Sequence, residues 1–303
     1  MTKISSPIVF FGSGPVAAES LRLLAQKAEI EAVITKPRAP HHRGDVPVIT
    51  VAEALELPVF TVSNRPELDR LIDGEAFKSR LGVLVDFGII VSQKVIDSFP
   101  FGIVNSHFSL LPEWRGADPI TFSILSGQRT TGVSLMLLTA GMDEGPILAY
   151  AEQEISETTT TPELTADLIK LSDMQLDAIL PLYLDGSAVP LPQDSSIEPT
   201  YSRKLTKADG AIDWHKPAEQ IEREIRAFIE WPKSYTKIGG LEVTVMRAHV
   251  VGAKGSPGTF TKQNGQLVAF CGEEALVIDE IKPAGKQKMT GQGFLAGYSK
   301  YLS

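Results

Sequence analysis

Patterns typical of buried strands alternate with helix patterns along the first 185 residues of the chain. Apolar runs predict strands at residues 8–11, 30–35, 57–62, 81–87 and 101–104, and the segments between them predict helices. Alternating strands and helices assemble into a mostly parallel sheet with helices on its faces. Ligands of such sheets bind beyond the carboxyl ends of the strands. We therefore predict a doubly wound α/β domain with its functional site at that edge.

The character of the sequence changes after a proline-rich segment. Residues 186–199 contain three prolines and few apolar side chains, which is typical of a linker. Beyond it, short strand patterns separated by glycine turns predict a small OB-like β-barrel. We predict a catalytic domain at residues 1–185, a linker at 186–205 and a β-barrel domain at 206–303.

The charge of the chain is acidic overall but uneven. The 303 residues carry a formal net charge of -8, from 29 Lys and Arg against 37 Asp and Glu. Residues 206–303 hold 13 Lys and Arg against 11 Asp and Glu, which leaves 16 against 26 for residues 1–205. The asymmetry is modest, and contact with an acidic partner such as nucleic acid would need a local basic surface, which net charge alone does not establish.

Two sequence features concern the compartment of the protein. No apolar run is long enough to span a bilayer, and the first residues lack the apolar core of a secretory signal. We therefore expect a cytoplasmic protein without membrane contact. The one cysteine, Cys271, rules out an intrachain disulfide, and its apolar surroundings predict a buried, unreactive thiol.

The richest concentration of polar side chains follows the apolar run Phe101–Val104, in the order N-S-H-F-S-L-L-P-E-W-R-G-A-D-P. This order is typical of a buried strand that ends in a functional loop. Asn105 and His107 are two residues apart, so on an extended strand end both point to the same side. Farther along, a glycine-flanked loop carries the carboxylate of Asp143. These residue types suit acyl transfer, in which Asn105 stabilises an oxyanion, His107 moves a proton and Asp143 orients His107.

Two other features resemble ligand sites but are interpreted as structural. The turn Gly12–Pro15 follows the first strand pattern, and Ala17 stands where a dinucleotide-binding G-x-G-x-x-G loop requires its last glycine. We predict a strand-to-helix turn there, with Pro15 in the first helical turn. The adjacent His41 and His42 have no spaced Cys or acidic partner, so we predict no metal site.

The central stretch resembles the signature of the folate-dependent formyltransferases. The pattern N-x-H-x-S-L-L-P-x-W-R-G-x-x-P begins at Asn105, and a G-x-D-x-G loop begins at Gly141. The stretches A-I-D-W, I-R-A-F, W-P-K-S and K-P-A-G-K-x-K-M are similar to the C-terminal domain of the methionyl-tRNA formyltransferase branch. The resemblance therefore covers nearly the whole chain.

The resemblance implies transfer of a formyl group from 10-formyltetrahydrofolate to the amino group of methionine on initiator tRNA, which supports translation initiation. It assigns catalysis to Asn105, His107 and Asp143. It assigns folate contacts to four consecutive residues: Ser109, Leu110, Leu111 and Pro112. Arg115 is expected to anchor its loop through an ion pair or carbonyl contacts. No metal, nucleotide cofactor or obligate protein partner is implied.

The resemblance also implies tRNA contacts in two places. Arg43 belongs to the loop Lys36–Pro47, which in the family approaches the acceptor end of the tRNA. The second place is a cluster of three lysines suited to phosphate: Lys282, Lys286 and Lys288. The loop Lys36–Pro47 is shorter in this chain than in the family, and it lacks the lysines that follow in the family's loop. Asp86 stands where relatives have a small residue near the folate pocket.

Two other functions are consistent with the same motifs. A formyltransferase for an amino-sugar nucleotide would share the catalytic residues and differ in its acceptor, although K-P-A-G-K-x-K-M favours tRNA. A non-catalytic tRNA-binding relative would have lost its site, and the complete set of Asn105, His107 and Asp143 argues against it. An assay that offers formyl-folate with charged initiator tRNA, and then with amino-sugar nucleotides, distinguishes these functions.

Overall fold

The computed structural model describes residues 4–38, 44–74 and 77–302. The chain divides into two compact units. The first unit combines three segments: Met1–Pro119, Thr130–Glu154 and Thr165–Ser202. The second unit combines three others: Ile120–Arg129, Ile155–Leu164 and Arg203–Ser303. The division into a catalytic domain, a linker and a barrel domain at 1–185, 186–205 and 206–303 stays a prediction.

The first unit is built on a mixed β-sheet. Its strands are β1 (Ile4–Gly12), β2 (Ala28–Thr35), β3 (Val59–Thr61), β4 (Leu81–Val85), β5 (Ile103–His107), β6 (Arg115–Gly116), β7 (Thr130–Leu137), β8 (Ile147–Glu154) and β9 (Tyr201–Ser202). The main sheet has the order β3-β2-β1-β4-β5-β7-β8, and β6 pairs separately with β9. The strands β1 to β5 are parallel, whereas β7 is antiparallel to both β5 and β8. The predicted fold class is confirmed for this part of the chain, with an antiparallel edge added.

Helices connect the parallel strands and cover the sheet. Those that connect the parallel strands are α1 (Gly14–Leu24), α2 (Pro47–Ala54), α3 (Arg65–Gly74) and α4 (Gln93–Asp97). The long helix α6 (Thr161–Leu184) follows β8, and α5 (Pro119–Ser126) belongs almost wholly to the second unit. A proline occupies the start of α1, as predicted, because the first N–H groups of a helix need no intrahelical partner. On one face of the sheet, Leu68 of α3 and Val95 of α4 belong to a buried cluster that includes Phe11 and Ile103. Layers of this kind bury the apolar face of each helix against the sheet.

The central strands are buried on both faces. All residues of β4 are buried, and Phe10 and Phe11 of β1 are 0% exposed. Burial on both faces selects continuous apolar runs instead of alternating ones, which explains the unbroken patterns in the sequence. The predicted strand 81–87 ends earlier, at Val85, because Asp86 adopts a left-handed backbone conformation with φ 44°. That exposed aspartate lies beyond the strand instead of inside it.

The second unit contains an antiparallel sheet packed with two further helices. Its elements are β10 (Ser234–Ile238), β11 (Leu241–Val251), β12 (Phe260–Gln263), β13 (Gln266–Phe270), β14 (Ala275–Pro283), β15 (Met289–Thr290), α7 (Ala218–Ala227) and α8 (Gly291–Tyr298). The strand order is β10-β11-β14-β13-β12, with β15 paired to β14. Ile221 and Ile225, one turn apart on α7, enter the same buried cluster as Trp214 and Phe260. The predicted β class of the C-terminal part is confirmed: the structure has a separate antiparallel sheet where a small OB-like β-barrel is predicted.

Three elements of the second unit were not expected from the sequence. The strands β12 and β15 and the helix α8 are short, and α8 contains glycines that weaken a helix pattern. In the described ranges of the chain, no helix combines the length and apolar character needed to cross a membrane.

Candidate active site

Asn105 and His107 lie at the carboxyl end of β5 and share one face of the sheet. Their exposed fractions are 7% and 6%. Ser106 between them points to the opposite face, where its hydroxyl contacts that of Ser172 on α6 at 2.6 Å. Within the described residues, the side-chain amide of Asn105 has no hydrogen-bond partner. A nearly buried amide without a protein partner can donate a hydrogen bond to a ligand.

The imidazole of His107 lies between two hydrogen-bond acceptors. Its Nε2 is 3.0 Å from the carbonyl oxygen of Trp114, and its Nδ1 is 3.8 Å from Oδ1 of Asp143. Since a carbonyl oxygen can only accept, Nε2 carries a hydrogen and Nδ1 faces the carboxylate. The separation of Nδ1 and the carboxylate exceeds hydrogen-bond distance, so the two groups form an ion pair when the imidazole is protonated. The predicted neighbours His107 and Asp143 are therefore brought together.

Asp143 reaches His107 through a loop that folds back along the sheet. Because β7 is antiparallel to β5, Leu137 at the end of β7 pairs with Val104, whereas His107 pairs with Ser134. Val104 and His107 are three residues apart on β5, which corresponds to about 10 Å along the strand. The loop between β7 and β8 must therefore run back toward the carboxyl end of β5 before it presents Asp143.

Close packing and directed hydrogen bonds hold this loop. Gly145 packs so tightly on β7 that a Cβ atom there would overlap the carbonyl oxygen of Leu137. Asp143 itself has a left-handed backbone, with φ 51°, which short polar residues tolerate better than most. Its Oδ2 accepts a hydrogen bond from the backbone N–H of Gly116 at 2.8 Å, so its other oxygen faces His107. Orientation of the carboxylate thus depends on the loop after β5.

The segment predicted to contact folate is largely engaged in internal contacts. The hydroxyl of Ser109 donates to the carbonyl oxygen of Glu113, and Ser134 Oγ donates to the carbonyl oxygen of Ser109. The backbone of Leu111 accepts from Tyr150 Oη at 2.9 Å and donates to Ser134 Oγ at 2.9 Å. Of the four predicted contact residues, Ser109, Leu111 and Pro112 are buried and Leu110 is half-buried. Their contact with folate stays a prediction.

Arg115 anchors its loop, as the sequence predicts. Its Nη1 lies 3.4 Å from Glu144, the residue after Asp143, and its Nη2 donates to Gln193 Oε1 at 2.7 Å. The side chain of Arg115 is 11% exposed, so these contacts hold a nearly buried guanidinium. An ion pair in this position links the loop after β5 to the Asp143 loop.

The residues that follow α6 contact the site's loops, although the sequence does not predict it. Thr200 accepts a hydrogen bond from the N–H of Trp114 through its hydroxyl and from the N–H of Arg115 through its carbonyl oxygen. Leu191 and Ile147 exchange two backbone hydrogen bonds of 2.7 and 2.8 Å. We call Leu191–Ser202 the post-helix segment. It lies in the proline-rich stretch that predicts a linker, and no motif marks its contacts.

The turn after β1 lies beside the end of β4. The N–H of Ser13 donates to the carbonyl oxygen of Asp86 at 2.9 Å, which ties this turn to the end of β4.

Across residues 4–38, 44–74 and 77–302, no three His, Cys, Asp or Glu side chains gather as a metal-binding group.

Two family models match this chain. The formyl transferase model matches residues 8–177, which include β5 and the Asp143 loop, and the formyl transferase C-terminal domain model matches residues 204–299. The chain belongs to the formyl transferase family. The match to the C-terminal model extends family membership over about the last third of the sequence.

Relatives in the family match over almost their full length. A methionyl-tRNA formyltransferase of Chloroflexus aurantiacus is 36% identical over 299 residues, which cover 96% of each chain. A methionyl-tRNA formyltransferase of Bacillus velezensis is 35% identical over 302 residues, 96% of this chain and 94% of its own.

Solved structures share the fold at lower identity. An N-formyltransferase of Helicobacter canadensis, solved with folinic acid and dTDP-3-aminofucose, has a TM-score of 0.68 at 17% identity and covers 93% of this chain and 99% of its own. HypX of Aquifex aeolicus has a TM-score of 0.66 at 16% identity over 97% of this chain. This chain spans about half, 48%, of that HypX chain.

The predicted tRNA-contacting residues belong to two parts of the chain. Arg43 lies outside the described residues. Lys282, Lys286 and Lys288 are exposed at and after the end of β14, and Lys288 lies 3.3 Å from Glu280. A groove of about 610 Å³ in the second unit is lined by Lys282 together with three lysines that sequence reasoning missed: Lys207, Lys233 and Lys237. Lys233 and Lys237 are close in sequence, but Lys207 and Lys282 are distant from them, so no local pattern indicates that the four share a surface.

Proposed function

We propose that this chain transfers a formyl group from 10-formyltetrahydrofolate to the amino group of methionine on initiator tRNA. The observation that carries this proposal is the 36% identity to a methionyl-tRNA formyltransferase over 96% of both chains. Similarity over that length includes the part that holds Asn105, His107 and Asp143 and the part that holds the lysine groove. We also propose that the protein acts in the cytoplasm, where this reaction would support translation initiation.

The site suits a folate that carries a formyl group. When bound, such a folate supplies an activated formyl group, whose carbonyl oxygen needs a hydrogen-bond donor. The amide of Asn105, which has no partner within the described residues, can serve as that donor. The partly exposed Leu110 can add apolar contact beside it. Related folds solved with folinic acid and tetrahydrofolic acid support the choice of donor.

Asn105 and His107 would act on the charge that develops during transfer. Attack by an amine on a formyl carbon drives negative charge onto the formyl oxygen, and a positioned donor stabilises that charge before the bond is complete. Asn105 donates a neutral hydrogen bond there. His107 lies on the same face of β5 and can stabilise that charge or carry a proton. Donors of this kind typically contribute about a hundredfold to a thousandfold in rate.

Asp143 would manage the proton that the amine loses. Formyl transfer between two nitrogens takes one proton from the attacking amine and returns one to the departing nitrogen. Asp143 Oδ1 faces His107, while its Oδ2 is held by the N–H of Gly116. This arrangement lets the carboxylate take the amine's proton, directly or through one water, with His107 as the neighbouring proton carrier.

The second unit would supply the electrostatic part of tRNA binding. Lys207, Lys233, Lys237 and Lys282 line one groove, where Glu242 is the acidic side chain and lies 3.8 Å from Lys237. Lysines along a groove attract the phosphate backbone of RNA, and binding releases counterions. Such contacts hold the tRNA without reading its sequence.

A direct assay tests the proposal. Purified protein is offered 10-formyltetrahydrofolate with charged initiator tRNA, with a dTDP-amino-sugar, or with no acceptor. We expect N-formylmethionyl-tRNA in the first reaction only, and loss of most of it in His107→Ala. Formylation of the amino-sugar alone would assign the chain to that acceptor. Tight tRNA binding without formyl transfer to either acceptor would support a non-catalytic protein.

A further inference from the structure

We propose that Gln193 is a positioning residue that sets the distance between Asp143 and His107. This inference rests on the proposed formyl transfer, because it assigns Asp143 a part in that reaction. Gln193 belongs to the post-helix segment and acts through the loop between β7 and β8. Its side chain is the point at which three separate parts of the chain are joined.

Both polar atoms of the Gln193 side chain, Nε2 and Oε1, form hydrogen bonds. Its Nε2 donates to the carbonyl oxygen of Asp143 at 2.7 Å and to that of Gly145 at 3.0 Å. Its Oε1 accepts from Arg115 Nη2 at 2.7 Å. Because a guanidinium only donates and a carbonyl only accepts, these neighbours determine which end of the amide is nitrogen. A side chain without both a donor and an acceptor cannot replace it.

The hydrogen bonds form a closed network around the carboxylate. Gln193 holds the backbone of Asp143 on one side and the guanidinium of Arg115 on the other. The residue after Arg115, Gly116, donates its N–H to Oδ2 of Asp143. The backbone and the carboxylate of Asp143 are thus fixed from two directions. Only the oxygen that faces His107 is left for chemistry.

The Asp143 loop needs such a restraint because of its path. It leaves β7 beside Val104 and runs back about 10 Å to reach His107. Loops at a surface move unless hydrogen bonds or packing restrain them. Gly145 supplies the packing against β7, and Gln193 supplies the hydrogen bonds.

Gln193 is placed firmly enough to act as that restraint. Leu191 is bonded to Ile147 two residues before it, and Thr200 is bonded to Trp114 and Arg115 after it. Gln193 is half-buried, whereas both of its chain neighbours are exposed. A lone half-buried amide in an exposed segment indicates that its side chain, and not its backbone, makes the important contact.

The test uses Gln193→Met, which keeps the length of the side chain and removes the donor and the acceptor. We expect kcat for formyl transfer to fall about ten- to a hundredfold, since misplacement of a reacting group by an ångström has an effect of that size. The KM values for folate and tRNA should change less than about twofold, because no substrate contact is removed. Gln26→Met is the matched control, since Gln26 donates to a backbone carbonyl, that of Arg22, at 3.3 Å on an exposed helix end.

A double-mutant cycle separates positioning from general damage. If Gln193 acts through Asp143, Gln193→Met should cost little more once Asp143→Asn is present. Hydrogen exchange of residues 138–146 gives a readout that needs no activity, and it should be faster in Gln193→Met than in the wild type or Gln26→Met. Wild-type exchange together with wild-type kcat in Gln193→Met would overturn the proposal, as would a full additional loss in the Asp143→Asn background. A wild-type protein without formyl transfer would instead overturn the proposed function, while the exchange measurement would still decide whether Gln193 holds the loop.

Discussion

Asp143 lies 3.8 Å from His107 although the strand that precedes it ends beside Val104, at the other end of β5. A sheet edge alone therefore does not assemble this pair. The pair exists because the loop between β7 and β8 folds back and is held by contacts from Gly116 and Gln193. The candidate site thus depends on restraints contributed by residues far apart in the sequence.

We expect Asn105→Ala to lower kcat for formyl transfer by roughly a hundredfold or more, the usual effect of removing one oxyanion donor. The fold should survive. Within the described residues the amide has no hydrogen-bond partner, so its removal leaves no partner group unpaired. Single-turnover formylation and a melting curve measure the two effects. Near-normal turnover in a folded variant would remove Asn105 from the mechanism. His215→Ala, at a histidine whose side chain is 84% exposed, controls for removal of a polar side chain elsewhere.

Replacing Lys282, Lys286 and Lys288 together by Ala should weaken tRNA binding most at low salt. Each lost phosphate contact lowers the slope of log K against log salt by about one. Lys288 already lies 3.3 Å from Glu280, so its share should be smaller than that of the other two. Binding measured from low to high salt checks this, with Lys170→Ala on α6 as the control. An unchanged slope would mean that the cluster does not contact phosphate.

Arg43→Ala tests the loop Lys36–Pro47, whose central part lies outside the described residues. A bidentate guanidinium contact to RNA contributes about 1 to 3 kcal/mol, so formylation of initiator tRNA should weaken by a corresponding amount. Folate affinity should stay unchanged. The exposed Arg38 belongs to the same loop, and Arg38→Ala is the matched control. Identical rates for wild type and Arg43→Ala on initiator and elongator tRNAs would leave Arg43 without a role in recognition.

Glu31 predicts a pH-dependent contribution to stability. Burial by itself would raise the pKa of Glu31, but hydrogen bonds from the backbone of Lys78 and from Ser79 lower it below 4.5. Since the folded-state pKa lies below the unfolded value, the stabilisation is present above pH 4.5 and is lost as the pH falls through the lowered pKa.

Glu31→Gln should therefore reduce the thermal midpoint at pH 7 and leave it nearly unchanged in strong acid. Charged hydrogen bonds at a solvent-screened position are worth about 1 kcal/mol, which corresponds to a shift of about 2 °C in a chain of this size. Thermal unfolding followed at pH 7 and at pH 3 gives the comparison. A difference between wild type and variant that grows as the pH falls would contradict the assignment.

The sequence predicted those parts of the molecule that depend on local patterns. The buried strands, the shared face of Asn105 and His107, and the glycine-flanked loop of Asp143 all follow from period and composition. The direction of β7 could not be predicted, because an apolar run has the same pattern whether the strand is parallel or antiparallel. That direction is what makes the Asp143 loop fold back.

The contacts that restrain the site could not be predicted from the sequence for a different reason. Gln193 and Thr200 lie among prolines and exposed polar residues, a composition that usually indicates a linker. Their importance comes from contacts with Asp143, Trp114 and Arg115, which are separated from them by a long helix. Such contacts depend on tertiary packing, and no period or spacing in one sequence records them.

The second unit is assembled from parts of the chain that are not adjacent in sequence. Thr161 Oγ1 donates to the carbonyl oxygen of Ala227 at 2.8 Å, and Arg226 Nη1 donates to that of Thr159 at 2.7 Å. Residues 120–129 and 155–164 thus belong with the C-terminal segment, although they are encoded among the residues of the first unit. A chimaera that exchanges only the residues after Ser202 between two relatives would pair α7 with foreign versions of both short segments. A functional hybrid should therefore require residues 120–129 and 155–164 to be exchanged together with the residues after Ser202.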